Sequence, residues 1–158
     1  MACVIRRATA RDAVAICALH KEAVRRLCAG AYSAEQIEAW VGRRVPENYC
    51  KAMSVDGETI LVAERASRVA AFASLKGEML FGLYVDPTHG RGLGHELLAS
   101  VEDDARGRSV AVLSLQATLN AVPFYRRHGY SVDRAGVVPR GNLKLPVVEM
   151  SKSLSPSP

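Results

Sequence analysis

A chain of 158 residues is the size of one domain able to bury most of its surface, and 49% apolar with 23% charged residues is a globular rather than a disordered balance. No apolar run approaches the roughly 18 residues of a membrane span, and Arg6, Arg7 and Arg11 interrupt the opening apolar residues too early for a signal peptide, so no membrane partner and a cytoplasmic location are expected. The net charge of +5 is scattered in single and paired Lys and Arg residues, with no basic block, RNA-binding aromatic pattern or zinc-finger spacing, which points away from nucleic acid.

The four cysteines (Cys3, Cys17, Cys28, Cys50) form no C-x-x-C pair and have no histidine at metal-ligand spacing, so free structural thiols and no metal are expected. In chain order, Val4 to Arg7 reads as a short strand. Thr9 with Asp12 is a capping signal, and Ala13, Ile16, Cys17, Val24 and Leu27 then recur at helical spacing up to Gly30. Ser33 with Gln36 is a second capping box, opening a helix through Ile37 and Trp40 before Pro46.

The period then changes. Thr59 to Glu64, Val69 to Leu75 and Glu78 to Val85 are β-rich runs joined by short polar connections, as in a meander. After a turn at His89 to Gly94, an amphipathic helix carries Leu93, Leu97, Leu98, Val101 and Ala105. Val110 to Leu115 suits a buried strand, and Ala121 to Arg127 a short helix with Pro123 in its first turn and Gly129 beyond its end. Tyr130 to Arg134 and Val147 to Lys152 complete the strands. The expected domain covers residues 1–152, with a disordered tail from Ser153 to Pro158. The fold class is α/β, a mixed sheet with helices on both faces.

The glycines at 90, 92 and 94 fall where a strand has ended and a helix begins. Backbone N–H groups converge at such a helix start, and glycine lets a phosphate approach them. A P-loop is excluded because His95 and Glu96 follow Gly94 in place of Lys and Ser or Thr. A dinucleotide fold is excluded because three strands precede the turn without intervening helices.

Together with this turn, the segment LNAVPFYRRHGY (Leu119 to Tyr130) resembles the GCN5-related N-acetyltransferase superfamily over nearly the whole chain. The cofactor signature of that family is Gln or Arg, two residues, Gly, one residue, then Gly or Ala. His89-Gly90-Arg91-Gly92-Leu93-Gly94 fits it except at His89. Asn120, Phe124, Tyr125, Gly129 and Tyr130 stand where the family places Asn, an aromatic, Tyr, Gly and an aromatic. The segment YSAEQIEAW (Tyr32 to Trp40) resembles a bacterial subgroup of mostly uncharacterised members.

The resemblance implies an acyl-CoA N-acyltransferase fold: a mostly antiparallel sheet splayed between two parallel strands, with acetyl-CoA as cosubstrate in the gap. The pantetheine arm would pair with Leu83, Tyr84 and Val85, and the pyrophosphate with N–H groups of His89, Gly90, Arg91, Gly92, Leu93, Gly94 and His95. Asn120 and Phe124 would contact the cofactor arm, and Arg127, with Arg126, the 3′-phosphate. Tyr125 would protonate the leaving thiolate. An alkyl amine is neutral in only about one molecule in 2,500 at pH 7, so a base is useful. Glu78, eleven positions before His89, is the first choice by resemblance to the histone-acetylating branch; Glu35 or a water relay is the alternative. Tyr32, Glu35 and Trp40 would line the cleft for a small-molecule or peptide amine. His20 reads as a partly buried structural imidazole. A homodimer is compatible with the superfamily. The competing readings are a CoA-binding module without catalysis and a nucleic-acid binder.

Overall fold

The computed structural model describes residues 3–155. Seven strands form one sheet in the order β1-β2-β3-β4-β5-β7-β6: β1 (Cys3–Arg7), β2 (Thr59–Arg65), β3 (Arg68–Lys76), β4 (Met79–Val85), β5 (Val112–Thr118), β6 (Ser131–Arg140) and β7 (Leu143–Ser153). Every neighbouring pair is antiparallel except β4 and β5. The helices are α1 (Ala13–Leu27), α2 (Ala34–Val41), α3 (Pro46–Ser54), α4 (Leu93–Gly107) and α5 (Val122–Arg127). This is the splayed mixed sheet expected of an acyl-CoA N-acyltransferase. Among the described residues no helix is long and apolar enough to cross a membrane.

The two-residue period of the strands sorts their side chains to opposite faces. Ile60 and Val62 of β2 and Phe72 of β3 pack with Ile16, Leu19 and Ala23 of α1 and Tyr49 of α3. Leu61, Ala63, Ala71, Ala73 and Leu75 face the other way, against Leu93, Leu97, Leu98 and Val101 of α4. A third cluster joins the end of α1 to α2 and β7 through Val24, Tyr32, Ile37, Trp40 and Leu145. Glu102 of α4 is buried, accepting from Tyr130 Oη (2.8 Å) and Lys152 Nζ (2.9 Å), so one carboxylate ties the helix to the residue before β6 and to β7.

Several boundaries move. The first helix stops at Leu27, where Cys28 N–H caps Val24 O, rather than running to Gly30. The Ser33–Gln36 capping box forms as expected, with both reciprocal bonds present. An additional helix, α3, begins at Pro46. Its signal was Pro at the first helical position, with Asn48 Oδ1 reaching back to Val45 N–H at 2.8 Å. The strand expected from Val110 begins at Val112 and runs to Thr118. The final strands are much longer than the short runs expected, forming a hairpin from Ser131 to Ser153. The expected tail also starts later, because Ser153 pairs with Val112 and the buried Leu154 donates its N–H to Ala111 O at 2.8 Å. Residues 156–158 of that tail lie outside the described residues.

At the start of α1, Asp12 is buried and accepts from Arg6 Nη1 and Nη2, both at 2.9 Å, and from Thr9 N–H at 2.8 Å. The Arg6 hydrogen bonds hold the Asp12 carboxyl below its ordinary range, with burial opposing and the Thr9 N–H assisting. A depressed carboxyl stabilises the fold fully above its unfolded value near 3.9 and ceases to do so as pH falls through the lower folded value. Asp12→Asn is therefore expected to cost about 1–2 kcal/mol in urea denaturation at pH 7, with the gap from wild type shrinking below about pH 4.

Candidate functional site

β4 and β5 pair at only two positions, Met79↔Ser114 and Leu80↔Leu115. One residue further on, the β3–β4 register shifts: Leu75 faces Leu80 but Ser74 faces Gly82, so Phe81 bulges out. Beyond this bulge β4 stays with β3 and β5 with β7, and their facing edges part. The gap holds a slot of about 140 Å³ lined by Leu83, Tyr84 and Val85 of β4, Thr118, Asn120 and Ala121 after the splay, Gly94 of α4, Phe124 and Tyr125 of α5, Ala23 and Leu27 of α1, and Cys28 just beyond its end. Eight residues from the two separate sequence signatures and the strand before the first thus meet in one slot.

The turn below the slot is fixed by its own backbone bonds. Asp86 Oδ1 accepts from Thr88 N–H (2.8 Å) and His89 N–H (3.0 Å), Asp86 O from Gly90 N–H (2.9 Å), and Gly90 O from Leu93 N–H (3.0 Å). Burial would raise the Asp86 carboxyl, but the His89 and Thr88 N–H groups outweigh it and hold it below its ordinary value. The donors left to an anion are the N–H groups of Arg91, Gly92, Gly94 and His95. Those of His89, Gly90 and Leu93, expected to join them, are already bonded within the turn. The glycines serve different ends. A Cβ on Gly90 would lie 2.3 Å from Ala70 O, whereas Gly92 has open space but a φ of +86°, the left-handed region at the helix N-cap. Arg65 Nη1 braces the turn by donating to Arg91 O at 2.9 Å. The His89 ring points outward, receiving Arg68 Nη1 at 2.8 Å, so the residue that departs from the signature is not in the slot.

Tyr125 is buried at the wall of the slot, and burial pushes its hydroxyl well above the ordinary tyrosine value, so it keeps its proton. Cys28 lines the same slot, and burial raises its thiol to about 11, opposed by a hydrogen bond with Asn120. A thiol so placed is a poor nucleophile at neutral pH. Arg126 and Arg127 are exposed at the end of α5. Beside them His128 Nδ1 lies 2.7 Å from Phe124 O and donates to it, leaving Nε2 to accept from His95 Nδ1 at 2.9 Å. This pair links the start of α4 to the end of α5.

A larger cavity of about 360 Å³ lies on the other side of Tyr84, whose ring is stacked on Phe72 (5.5 Å between centroids) and tilted against His20 (4.4 Å). α1, α2 and α3 supply His20, Trp40, Asn48 and Tyr49, and the α2–α3 connection Arg44; the sheet supplies Ser74, Phe81 and Gln116; the last hairpin supplies Arg140. His20 is buried with Nδ1 2.8 Å from Tyr49 Oη, and desolvation, with Arg44 and Arg140 nearby, takes it down to about 3, so it is neutral.

A sequence profile described as the acetyltransferase (GNAT) domain matches residues 28–154. The chain belongs to the GNAT acetyltransferase family. Among solved structures, a GCN5-related N-acetyltransferase described as an aminotransferase, class II, from Rhodopseudomonas palustris is 30% identical, covering 97% of this chain and 96% of that one with a TM-score of 0.89. A PaiA N-acetyltransferase from Thermoplasma acidophilum in complex with coenzyme A (23% identity, coverage 97% and 99%, TM-score 0.77) shares the fold. So does yncA, a putative acetyltransferase from Salmonella typhimurium, with its cofactor acetyl-CoA (24%, coverage 100% and 97%, TM-score 0.73). A search of curated proteins gave no match.

The GNAT site suits a CoA thioester on the chain's own geometry. The slot is mostly apolar, the β4 edge facing it beyond Leu80 has no strand partner, and Gly94 keeps it open where a Cβ would sit 3.2 Å from Phe124. Among the described residues no group of three or more His, Cys, Asp or Glu side chains is placed to hold a metal ion.

Not every expected residue arrives. Glu78 is exposed in the β3–β4 turn and lines neither cavity: it stands at the closed end of the splay, where its carbonyl accepts Ser114 N–H at 2.9 Å. Glu35, in the first turn of α2, is also exposed and outside the cavities. Trp40 lines the large cavity, and Tyr32 a small one of about 50 Å³ beside it, its Oη donating to Pro146 O (2.6 Å) and accepting Leu119 N–H (3.1 Å). The residues that sequence reasoning missed are Arg44, Glu58, Gln116 and Arg140. Arg44 and Glu58 lie in the connections on either side of α3, Gln116 on β5, and Arg140 at the end of β6 in the long hairpin; neither α3 nor the length of that hairpin was foreseen. Gly92→Ala is expected to cost about 1 kcal/mol in urea denaturation and Gly90→Ala more than about 2 kcal/mol, with acetyl-CoA affinity by calorimetry falling further in the second.

Proposed function

We propose that this GNAT protein transfers acetyl from acetyl-CoA to a primary amine by direct attack in a ternary complex. The reading rests on one observation: the slot and the large cavity adjoin at Tyr84, which lines both. Two substrates entering from opposite sides of the splay would bring their reacting atoms together beside it. Bound acetyl-CoA supplies the activated acyl group.

The chain's residues divide the remaining work. The open edge of Leu83 to Val85 and the side chain of Asn120 hold the pantetheine arm, with Phe124 beneath it. The N–H groups of Arg91, Gly92, Gly94 and His95 hold the pyrophosphate at the start of α4, and Arg127 reaches the 3′-phosphate. Tyr125 keeps its proton and gives it to the departing sulfur. The raised Cys28 thiol favours direct attack over an acyl-enzyme. The base role falls to Glu58, which lines the acceptor cavity and accepts from Ser74 Oγ at 3.1 Å, unlike the exposed Glu78.

Following free thiol with acetyl-CoA and a panel of amines tests the reading; absence of turnover with every amine and peptide, alongside tight CoA binding, would favour the non-catalytic module instead. Tyr125→Phe is expected to lower kcat by about 100-fold without altering the acetyl-CoA Kd. Glu58→Gln is expected to lower kcat/KM by about 10–100-fold at pH 7. That deficit should narrow as pH rises towards the amine's own pKa, where the acceptor arrives already neutral.

A further inference from the structure

Two guanidinium groups, Arg44 at the C-terminal side of α2 and Arg140 at the end of β6, line the large cavity from opposite elements. Neither has a carboxylate within 4.0 Å among the described residues. Both are half-buried, and Arg44 Nε is fully buried with no hydrogen-bond partner among the described residues. Arg44 lies over the Tyr49 ring at 5.6 Å, while Arg140 Nη1 reaches only the neighbouring Pro139 O at 2.8 Å.

The carboxylates in the same cavity do not relieve this charge: Glu58 is with Ser74 Oγ, and Asp56 faces Lys51 Nζ at 3.8 Å. Burial lowers the Arg140 guanidinium from its ordinary value, and repulsion from Arg44 lowers it further. His20, between them and the sheet, is neutral. Half-buried cations held near each other without a counter-ion carry an uncompensated desolvation cost. A compact oxyanion that both forks grip in a bidentate manner would cancel it.

We propose that Arg44 and Arg140 form an oxyanion anchor, making the acceptor a small amine that carries a carboxylate or a similar compact anion. The proposal rests on the acetyl-transfer reading for the word acceptor, but not for the anchor. A cavity of about 360 Å³ has the size of an amino-acid-like molecule rather than a protein surface. Its polarity is also divided, with Glu58 available to the ammonium and the arginines to the anion.

Two measurements keep the readings apart. In the first, acetyl-CoA turnover is followed with the common amino acids, their carboxamides and matched aminophosphonates. The best acid should exceed its carboxamide in kcat/KM by about 100-fold or more, and the phosphonate arm tells which oxyanion the forks prefer. Arg44→Gln and Arg140→Gln should each collapse the acid-to-amide ratio towards unity through KM, with the acetyl-CoA Kd unmoved. In the second, the N-acetylated acids and amides are titrated calorimetrically into the cofactor-free protein. Binding of the acids alone, lost in the Gln variants, sustains the anchor even if no amine turns over, and only the transferase reading then falls. Arg→Lys at either position keeps the charge without the fork, and should weaken acid binding by about tenfold, providing a variant if the Gln forms do not fold. Equal or better binding of carboxamides, acid binding unaltered in all variants, or no binding of any acid at millimolar concentration overturns the proposal.

Discussion

The parting of β4 from β5 after two paired residues is the constraint on which the rest of the molecule depends. A sheet normally closes every backbone bond between neighbouring strands. Here the Phe81 bulge swings β4 aside, and the competing loyalty of β5 to β7 along its whole length prevents the strands from rejoining. The consequence is a strand edge of unspent hydrogen-bonding groups in the middle of a sheet, where an extended ligand can act as a substitute strand. α4 then begins at the mouth of that opening, which brings its unbonded N–H groups to the same place. Slot and anion site are two results of one local defect.

Where the sequence was legible, the reason was local. The turn after β4 could be read because its glycines answer to rules of backbone geometry within a few residues, as the φ of Gly92 and the contact of Gly90 with Ala70 O illustrate. Tyr125 and Asn120 could be read through a family likeness, and both line the slot. The acceptor side was not legible in the same way. Arg44 follows α2, Glu58 precedes β2, and Arg140 closes β6; they converge only through the packing of α1 and α3 on one face of the sheet and the reach of a hairpin. Glu78 shows the limit of an offset counted along the chain: its distance from the glycine turn says nothing of burial, and the β3–β4 turn places it in solvent.

Tyr84 contributes more than a length of strand edge. In the fold its ring joins Phe72, His20 and Trp40 in an aromatic partition between the two cavities. Burial pushes the phenol well above the ordinary tyrosine value, with Tyr125 and Cys28 adding to the effect. Three protonated groups, Tyr84, Tyr125 and Cys28, therefore surround the opening without contributing charge to it.

The strand order has a consequence for how the protein is made. β7, the last strand of the domain, is not at the sheet's margin but between β5 and β6, and it is the partner that holds β5 away from β4. A nascent chain that has emerged only through Tyr130 already carries every residue of both signatures, yet lacks the strand that fixes their spacing. Until that strand arrives, β5 has no antiparallel neighbour and exposes Leu113, Leu115 and Ala117, all fully enclosed in the finished core. Biosynthesis thus makes the ligand-binding geometry a late event, and leaves an unpaired apolar strand as the species most exposed to misassociation on the way.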